Sequence, residues 1–209
     1  MSIKLARKET IIIISGGPGT GKSLTAKKLK KVLKEDTIVS LSYDDMKEVL
    51  WDEKGFDNEA EKKERNNEAL LAFYDKLEEH MVKGDTLMIE YPFYQFHKGP
   101  LSELVNRYNY DATTIYLYTD TKTAYERGIM RDGGDRHPGH LLNHYHKETY
   151  HKGDELLEDR HFLTYEQFLD FIDGRDYNVA IGRTIAVDVT DFSKFSIEDI
   201  ARFITATDQ

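Results

Sequence analysis

Cysteine is absent from the 209-residue chain, which excludes disulfides, thiol nucleophiles and cysteine-held metal, and is compatible with a reducing compartment. Long apolar runs are missing too. The longest block, residues 11–14, falls far short of the roughly 18 residues that a membrane span needs. The opening residues, MSIKLARKET, contain no apolar signal-peptide region, so the expected location is the cytoplasm, with no membrane partner. An excess of positive charge is also absent. The net charge of −9 argues against broad capture of DNA or RNA, which calls for a basic face. Neither internal repeats nor low-complexity linkers interrupt the chain, and its length suits one domain over residues 1–209.

The charge that is present is local. Residues 22–34 are basic, as are Arg127, Arg131 and Arg136, while residues 53–79 are mostly acidic. Local positive charge on an acidic protein suits a small polyanion better than a long one.

Strand and helix signals alternate along the chain. Residues 11–14, all isoleucine, read as a strand buried on both faces. Residues 37–41, 86–89, 113–118 and 184–189 read as four more strands. Between them, apolar residues at helical spacing mark helices: Ala26, Leu29, Val32 and Leu33; then Leu70, Tyr74, Leu77 and Met81 within residues 59–82; then Leu101, Leu104, Val105 and Tyr108. Residues 121–130 look helical, and Ser196-x-x-Asp199 resembles a capping box at the start of a last helix. This alternation predicts an α/β fold: a five-stranded parallel sheet with helices on both faces. Residues 133–177 show little periodicity, and a lid is expected around residues 132–177.

Between the first strand and helix stands Gly16-Gly17-Pro18-Gly19-Thr20-Gly21-Lys22-Ser23, a complete G-x-x-x-x-G-K-[ST] match. Backbone N–H groups can converge on a phosphate only where side chains are few, and the following helix adds the partial positive charge of its N-terminus. The expected nucleotide contacts are Gly17, Gly19, Thr20, Gly21, Lys22, Ser23 and Leu24. Lys22 is expected to reach the terminal phosphates, with Ser23 ligating Mg²⁺. The expected ligand pair is a nucleoside triphosphate with Mg²⁺, taken as ATP and Mg²⁺ with the choice between ATP and GTP left open. No N-K-x-D guanine-reading motif is present, which disfavours a GTPase.

Three further stretches narrow the class: VSLSYDDMKEVL, with an acidic pair just past the second strand; TLMIEYPF, a strand ending in an acid; and TIYLYTDTKTAYERGIMRDGGDRHPGH, a strand followed by an arginine-bearing helix and loop. With GGPGTGKS they resemble the nucleotide-kinase-like branch of P-loop proteins, which includes polynucleotide kinase, chloramphenicol phosphotransferase and zeta toxin kinases. The resemblance covers roughly residues 11–140 and part of the last strand. It implies a three-layer P-loop NTPase fold and a kinase that moves the γ-phosphoryl group of ATP to a hydroxyl of a small molecule. It also implies that Arg127 lies near the base or phosphates and that Arg131 or Arg136 touches the γ-phosphate. A 5′-hydroxyl polynucleotide kinase, which the charge disfavours, and a nucleotide-sensing regulatory ATPase are the alternatives.

Asp44 is the favoured general base by the same resemblance, with Asp45 and Glu90 as alternatives. The bland role for the acidic pair is N-capping of a helix that begins near Met46. Glu90 stands where an aspartate commonly holds a Mg²⁺-bound water, so metal-shell, substrate-binding and structural roles are all open. Six of the eight histidines lie between His137 and His161. His140 and His144 have the spacing of a metal pair, but with no cysteine and no H-E-x-x-H a polar lid or substrate-facing wall is favoured. Tyr91, Phe93, Tyr94 and Phe96 either line an acceptor pocket or sit in the core, and Trp51 is read as core.

Overall fold

In the computed structural model, residues 9–33, 38–134, 136–152 and 163–206 are described. Thr37 at the start of the expected second strand, His161, and residues 135 and 153–162 of the expected lid lie outside them. The strands are β1 (Thr10–Gly16), β2 (Val39–Ser42), β3 (Leu87–Glu90), β4 (Asp111–Tyr118) and β5 (Arg183–Asp188). They form one five-stranded sheet in the order β2-β3-β1-β4-β5, with every pairing parallel. The seven described α-helices are α1 (Lys22–Leu33), α2 (Tyr43–Lys54), α3 (Glu59–Val82), α4 (Gln95–Arg107), α5 (Thr121–Asp132), α6 (Tyr165–Ile172) and α7 (Ile197–Thr205).

The isoleucine run explains why β1 lies at the centre. Successive strand residues point to opposite faces, and both faces here are apolar. Ile11 and Ile13 pack with Phe73, Leu77 and Met81 of α3 and Leu101 and Leu104 of α4. Ile12 and Ile14 pack with Leu29 and Leu33 of α1 and Ile200 and Ile204 of α7. All four isoleucines are fully buried. At about 1.5–3 kcal/mol per buried aliphatic side chain, this strand alone accounts for a sizeable share of the hydrophobic driving force.

A smaller cluster lies apart from both layers. Trp51 of α2, Phe56 and Tyr145 bury one another, and a backbone bridge pairs Phe56 with Tyr145 in antiparallel fashion. It docks residues 136–150 onto the α2–α3 corner.

Some local expectations shift. The fully buried stripe of α3 is Ala69, Phe73, Leu77 and Met81, with Leu70 and Tyr74 only partly buried, because the larger Phe73 centres the helix on the sheet. Helix α2 begins at Tyr43, not near Met46, and its N-cap is Ser42, whose hydroxyl accepts from the Asp45 N–H. The acidic pair therefore does not cap the helix. It occupies the first turn, where negative charge complements the helix dipole. The stretch expected to be irregular holds a 3₁₀ turn at Pro138–His140 and helix α6. Thr164 and Gln167 form a full capping box for α6, and Phe168 packs on Tyr125 of α5. Eight residues carry too few turns for a periodic signal to stand out.

Candidate functional site

The loop from Gly17 to Gly21 joins the buried end of β1 to α1 at the carboxyl edge of the sheet, where ligands collect in open α/β folds. Gly19 and Gly21 both adopt φ of +77°, a region that L side chains rarely enter. A Cβ on Gly19 would lie 2.2 Å from the Ala124 carbonyl oxygen, and one on Gly21 would lie 2.6 Å from the Phe192 ring. Bare backbone is thus required twice over, by torsion and by space. Inside the loop, Thr20 Oγ1 donates to the Gly17 carbonyl at 2.8 Å.

Lys22 is buried, and its ammonium also donates to the Gly17 carbonyl, at 2.9 Å. Burial pushes its pKa down to about 8, against the opposing pull of Glu90 and Asp44, while Arg131 and Arg136 push the same way as burial. A buried lysine curled onto its own loop has its charge ready for an anion. Ser23 Oγ donates to Glu90 Oε1 at 2.8 Å, and burial raises the Glu90 pKa. A hydroxyl and a carboxylate at the mouth of the loop form an all-oxygen donor set of the kind that suits Mg²⁺. Leu24 leaves its side chain 43% exposed, but as the third residue of α1 its N–H has no intrahelical acceptor.

Asp44 projects from the first turn of α2 towards this edge, and its carboxylate oxygen lies 2.6 Å from Lys47 Nζ. Burial alone would raise its pKa, but Lys47, then His140 and Arg136, bring it down to about 2. Asp45 differs. Its pKa rises with burial and with the charges of Glu48 and Asp44, which outweigh the opposing pull of Ser42 and Lys27. The two neighbours therefore face different surroundings one residue apart.

The three arginines also divide. Arg127 donates to the carbonyls of Val189 and Thr190, at 2.8 and 2.9 Å, and stacks 4.1 Å over the Phe192 ring. That ring is the one lying on Gly21, so Arg127 pins the loop after β5 against the phosphate loop. Arg131 and Arg136 instead share Asp132, with Nε to Oδ1 separations of 2.9 and 3.4 Å, and both act on Lys22. The Arg136 Nε is buried without a hydrogen bond.

The histidine segment proves to be a set of carboxylate contacts. His137 meets Asp52 at 3.0 Å, His140 meets Glu48 at 2.8 Å, and His146 meets Asp57 at 2.7 Å. Among the described residues, no group of three or more His, Cys, Asp or Glu side chains is placed to hold a metal ion. Of the aromatic run, Phe93 is core and Phe96 is exposed, while Tyr91 packs partly buried against Tyr43. A cavity of about 100 Å³ lies beside the loop, lined by Gly17, Thr20, Tyr116, Phe168 and Tyr177 among others; none of the charged site residues line it.

Sequence reasoning missed Lys47, Lys62 and Phe192. Lys47 is buried, with its ammonium over the rings of Tyr43, Tyr91 and Trp51. A lysine three residues after an aspartate is a readable signal on a helix, but a solvated pair has the same spacing. Phe192 carries no local signal for its contact with a loop 171 positions earlier.

The sheet order and the phosphate loop together define a P-loop kinase-like fold. The AAA domain family profile matches residues 12–139, well over half of the chain, and the chain belongs to that family. Solved structures agree on the fold. A "putative kinase" of Chloroflexus aurantiacus superposes with a TM-score of 0.72 at 20% identity, covering 95% of this chain and 97% of that one. A gluconokinase from Sinorhizobium meliloti gives a TM-score of 0.53 at 13% identity, covering 95% and 91%. The tunicamycin resistance protein of Deinococcus radiodurans gives a TM-score of 0.51 at 15% identity, covering 94% and 93%. No curated protein sequence matches the chain. Among the described residues, no helix is long and apolar enough to cross a membrane.

Proposed function

We propose that this protein is a kinase that transfers the γ-phosphoryl group of ATP to a hydroxyl of a small molecule. The observation that carries this reading is the set of groups gathered about Lys22 from three separate parts of the chain: Glu90, bonded to the neighbouring Ser23, Asp44, and the Arg131–Arg136 pair held on Asp132. Phosphoryl transfer needs such a set, because its transition state spreads negative charge over oxygens that fixed cations must meet.

The loop backbone from Gly17 to Gly21 and the N–H groups of Ser23 and Leu24 cradle the phosphates. Lys22 leaves the Gly17 carbonyl for the terminal phosphate oxygens, and Arg131 and Arg136 approach from the far side. Ser23 and Glu90 would hold Mg²⁺, directly or through a water, and the ion when bound supplies further charge neutralisation. Arg127 acts on the nucleotide side, by holding Phe192 against Gly21. Asp44 accepts a hydrogen bond from the acceptor hydroxyl and orients it. The hydroxyl oxygen bonds to the γ-phosphorus as the bond from that phosphorus to the β,γ-bridging oxygen breaks. The proton passes to Asp44, ADP leaves, and the product is a phosphate monoester. A carboxylate with a pKa of about 2 is ionised at neutral pH but weakly basic, so its contribution is mainly orientation, with proton transfer late.

The test compares two variants in an ADP-release screen over metabolites and nucleosides. Lys22→Ala abolishes turnover with every acceptor. Asp44→Asn keeps nucleotide affinity and lowers acceptor phosphorylation by about 10²-fold, the lower end of the usual 10²–10⁴-fold worth of a positioned base, since Asp44 mainly orients the hydroxyl. Full turnover by Lys22→Ala refutes the reading. Tight ATP binding with no acceptor-dependent ADP release replaces it with a nucleotide sensor.

A further inference from the structure

Beyond Asp44, on the side away from the phosphate loop, lies a second collection of cations. Lys47 is 9% exposed, and its ammonium sits 5.0 Å over the Tyr43 ring, 5.3 Å over Tyr91 and 5.5 Å over Trp51. Lys62, from α3, lies 5.7 Å over the same Trp51 ring and 5.4 Å over Phe56. Arg136 completes the group, with side-chain exposure of only 17%. Burial first, then Lys47, pushes the Lys62 pKa down to about 8, with Arg136 adding to the effect.

Buried cations are costly unless paired, and the pairing here is thin. Glu59 pulls on Lys62 from the same helix without an ion pair, and the other carboxylates nearby are engaged elsewhere. Glu48 is bonded to His140, and Asp52 receives bonds from His137, Tyr145 and Lys147. Asp132 is divided between Arg131 and Arg136. Asp44 alone meets Lys47, and Lys62 bonds only a neutral group in its neighbourhood, the Leu142 carbonyl at 2.8 Å. Lys47 reaches the site through Asp44, at 2.6 Å, and Lys62 through the Trp51 ring that it shares with Lys47. The phosphate contacts proposed above use Arg136 and leave Lys47 and Lys62 without a role.

We infer that Lys47 and Lys62 receive an anionic group, a carboxylate or a phosphate, carried by the hydroxyl acceptor, so that the acceptor is an acidic small molecule. This rests on the kinase reading and specifies its substrate class. When the anion arrives, Lys47 exchanges Asp44 for it. The exchange frees a carboxylate oxygen of Asp44 for the acceptor hydroxyl, so only an acceptor with a negative charge unlocks the orienting group. Tyr91, the only partly buried ring of the three, offers the apolar surface against which the carbon skeleton lies.

The experiment uses the full chain with its phosphate loop filled by MgADP for binding, and MgATP for turnover. The probes are two matched sets: glycerol, glycerate and glycerol 3-phosphate; and glucose, gluconate and glucose 6-phosphate. Carboxylate and phosphate members separate the two anion sources. The expected result is a thermal shift and ADP release with an acid or a phosphate ester and not with its neutral parent. Lys47→Gln and Lys62→Gln then raise acceptor KM at least tenfold with ATP KM unchanged, and Lys47→Arg restores part of the loss. Circular dichroism of each variant identifies any that fails to fold, in which case Lys47→Arg and the other lysine decide. Three results overturn the inference: neutral members that serve as well as acids, variants that change ATP KM instead, or no Lys47-dependent shift with any of the six probes. Lys47-dependent binding of an acid without ADP release leaves the anion site standing and refutes the kinase reading instead.

Discussion

Gly139→Ala is a single-methyl test of how the Arg136 segment is held. Gly139 lies in the 3₁₀ turn on the face of Trp51, and a Cβ there would fall 2.3 Å from Cε3, 2.9 Å from Cδ2 and 3.0 Å from Cζ3 of the indole. Ordinary contact begins near 3.4 Å, so either the turn or the ring must move by about 1 Å. The ring is hemmed in: it is 1% exposed, with His140, His137 and Phe56 centred 4.9, 5.8 and 5.9 Å away. Overpacking of this kind costs about 1–3 kcal/mol, and the docking equilibrium of residues 136–150 should fall about 5- to 150-fold. The Trp51 cluster is separate from the sheet cores, so the loss stays local. Hydrogen exchange read by mass spectrometry should show residues 136–150 opening faster by that factor, with β1 protection unchanged. Phosphoryl transfer should fall with it, because Arg136 is carried on the same segment. Unchanged exchange in residues 136–150 would refute the packing argument, and an equal loss in β1 would refute the claim that the cluster is a separate unit.

Arg127→Ala removes both bonds to the loop that lies on Gly21, and at about 1.5 kcal/mol for each charged hydrogen bond it should raise ATP KM roughly 10- to 150-fold with acceptor KM unchanged. Steady-state kinetics decides it, and a change in acceptor KM alone would count against the assignment. Acid should destabilise the docked segment through His140, which Glu48, Arg136, Asp44 and Lys47 all influence. Burial lowers its pKa from 6.5 to about 4, so the fold prefers the neutral ring. The stabilisation is complete above pH 6.5 and is lost as pH falls towards 4, with a slope approaching about 1.4 kcal/mol per pH unit. Thermal melts between pH 7 and pH 5 should fall less steeply for His140→Gln than for the parent, and equal slopes would contradict this.

The parts that could be read from sequence are those where one local constraint dictates the residue type. Four consecutive isoleucines have no use on a half-exposed strand, so a central buried strand followed directly. The phosphate loop was readable because convergent N–H groups exclude side chains, and the Gly19 and Gly21 torsions show that exclusion. The stop of α3 at Lys83 and Gly84 and the Ser196 cap of α7 are likewise settled within a turn of chain. Helix α6 was not readable. It is eight residues long, and its one buried residue, Phe168, is explained only by Tyr125 of α5, more than 40 positions earlier.

The acidic pair shows where local reasoning stops. Asp44 and Asp45 are chemically the same and adjacent, and sequence can offer both as base and both as cap. Ser42 takes the cap, which removes that role from both. What then separates them is helix geometry: neighbours on an α-helix are about 100° apart, so one carboxylate turns toward Lys47 and His140 and the other toward Ser42 and Lys27. The same rotation sets Lys47, three residues on, beside Asp44 and beneath the aromatic rings of Tyr91 and Trp51. Lys62 joins it only because α3 crosses back over Trp51 after the corner at Gly55. A site assembled by a helix face and a returning helix is invisible to a motif, since its residues are fixed by direction and not by spacing. If that assembly selects the acceptor, specificity in this chain resides in α2 and α3, while the phosphate loop supplies only the chemistry that they direct.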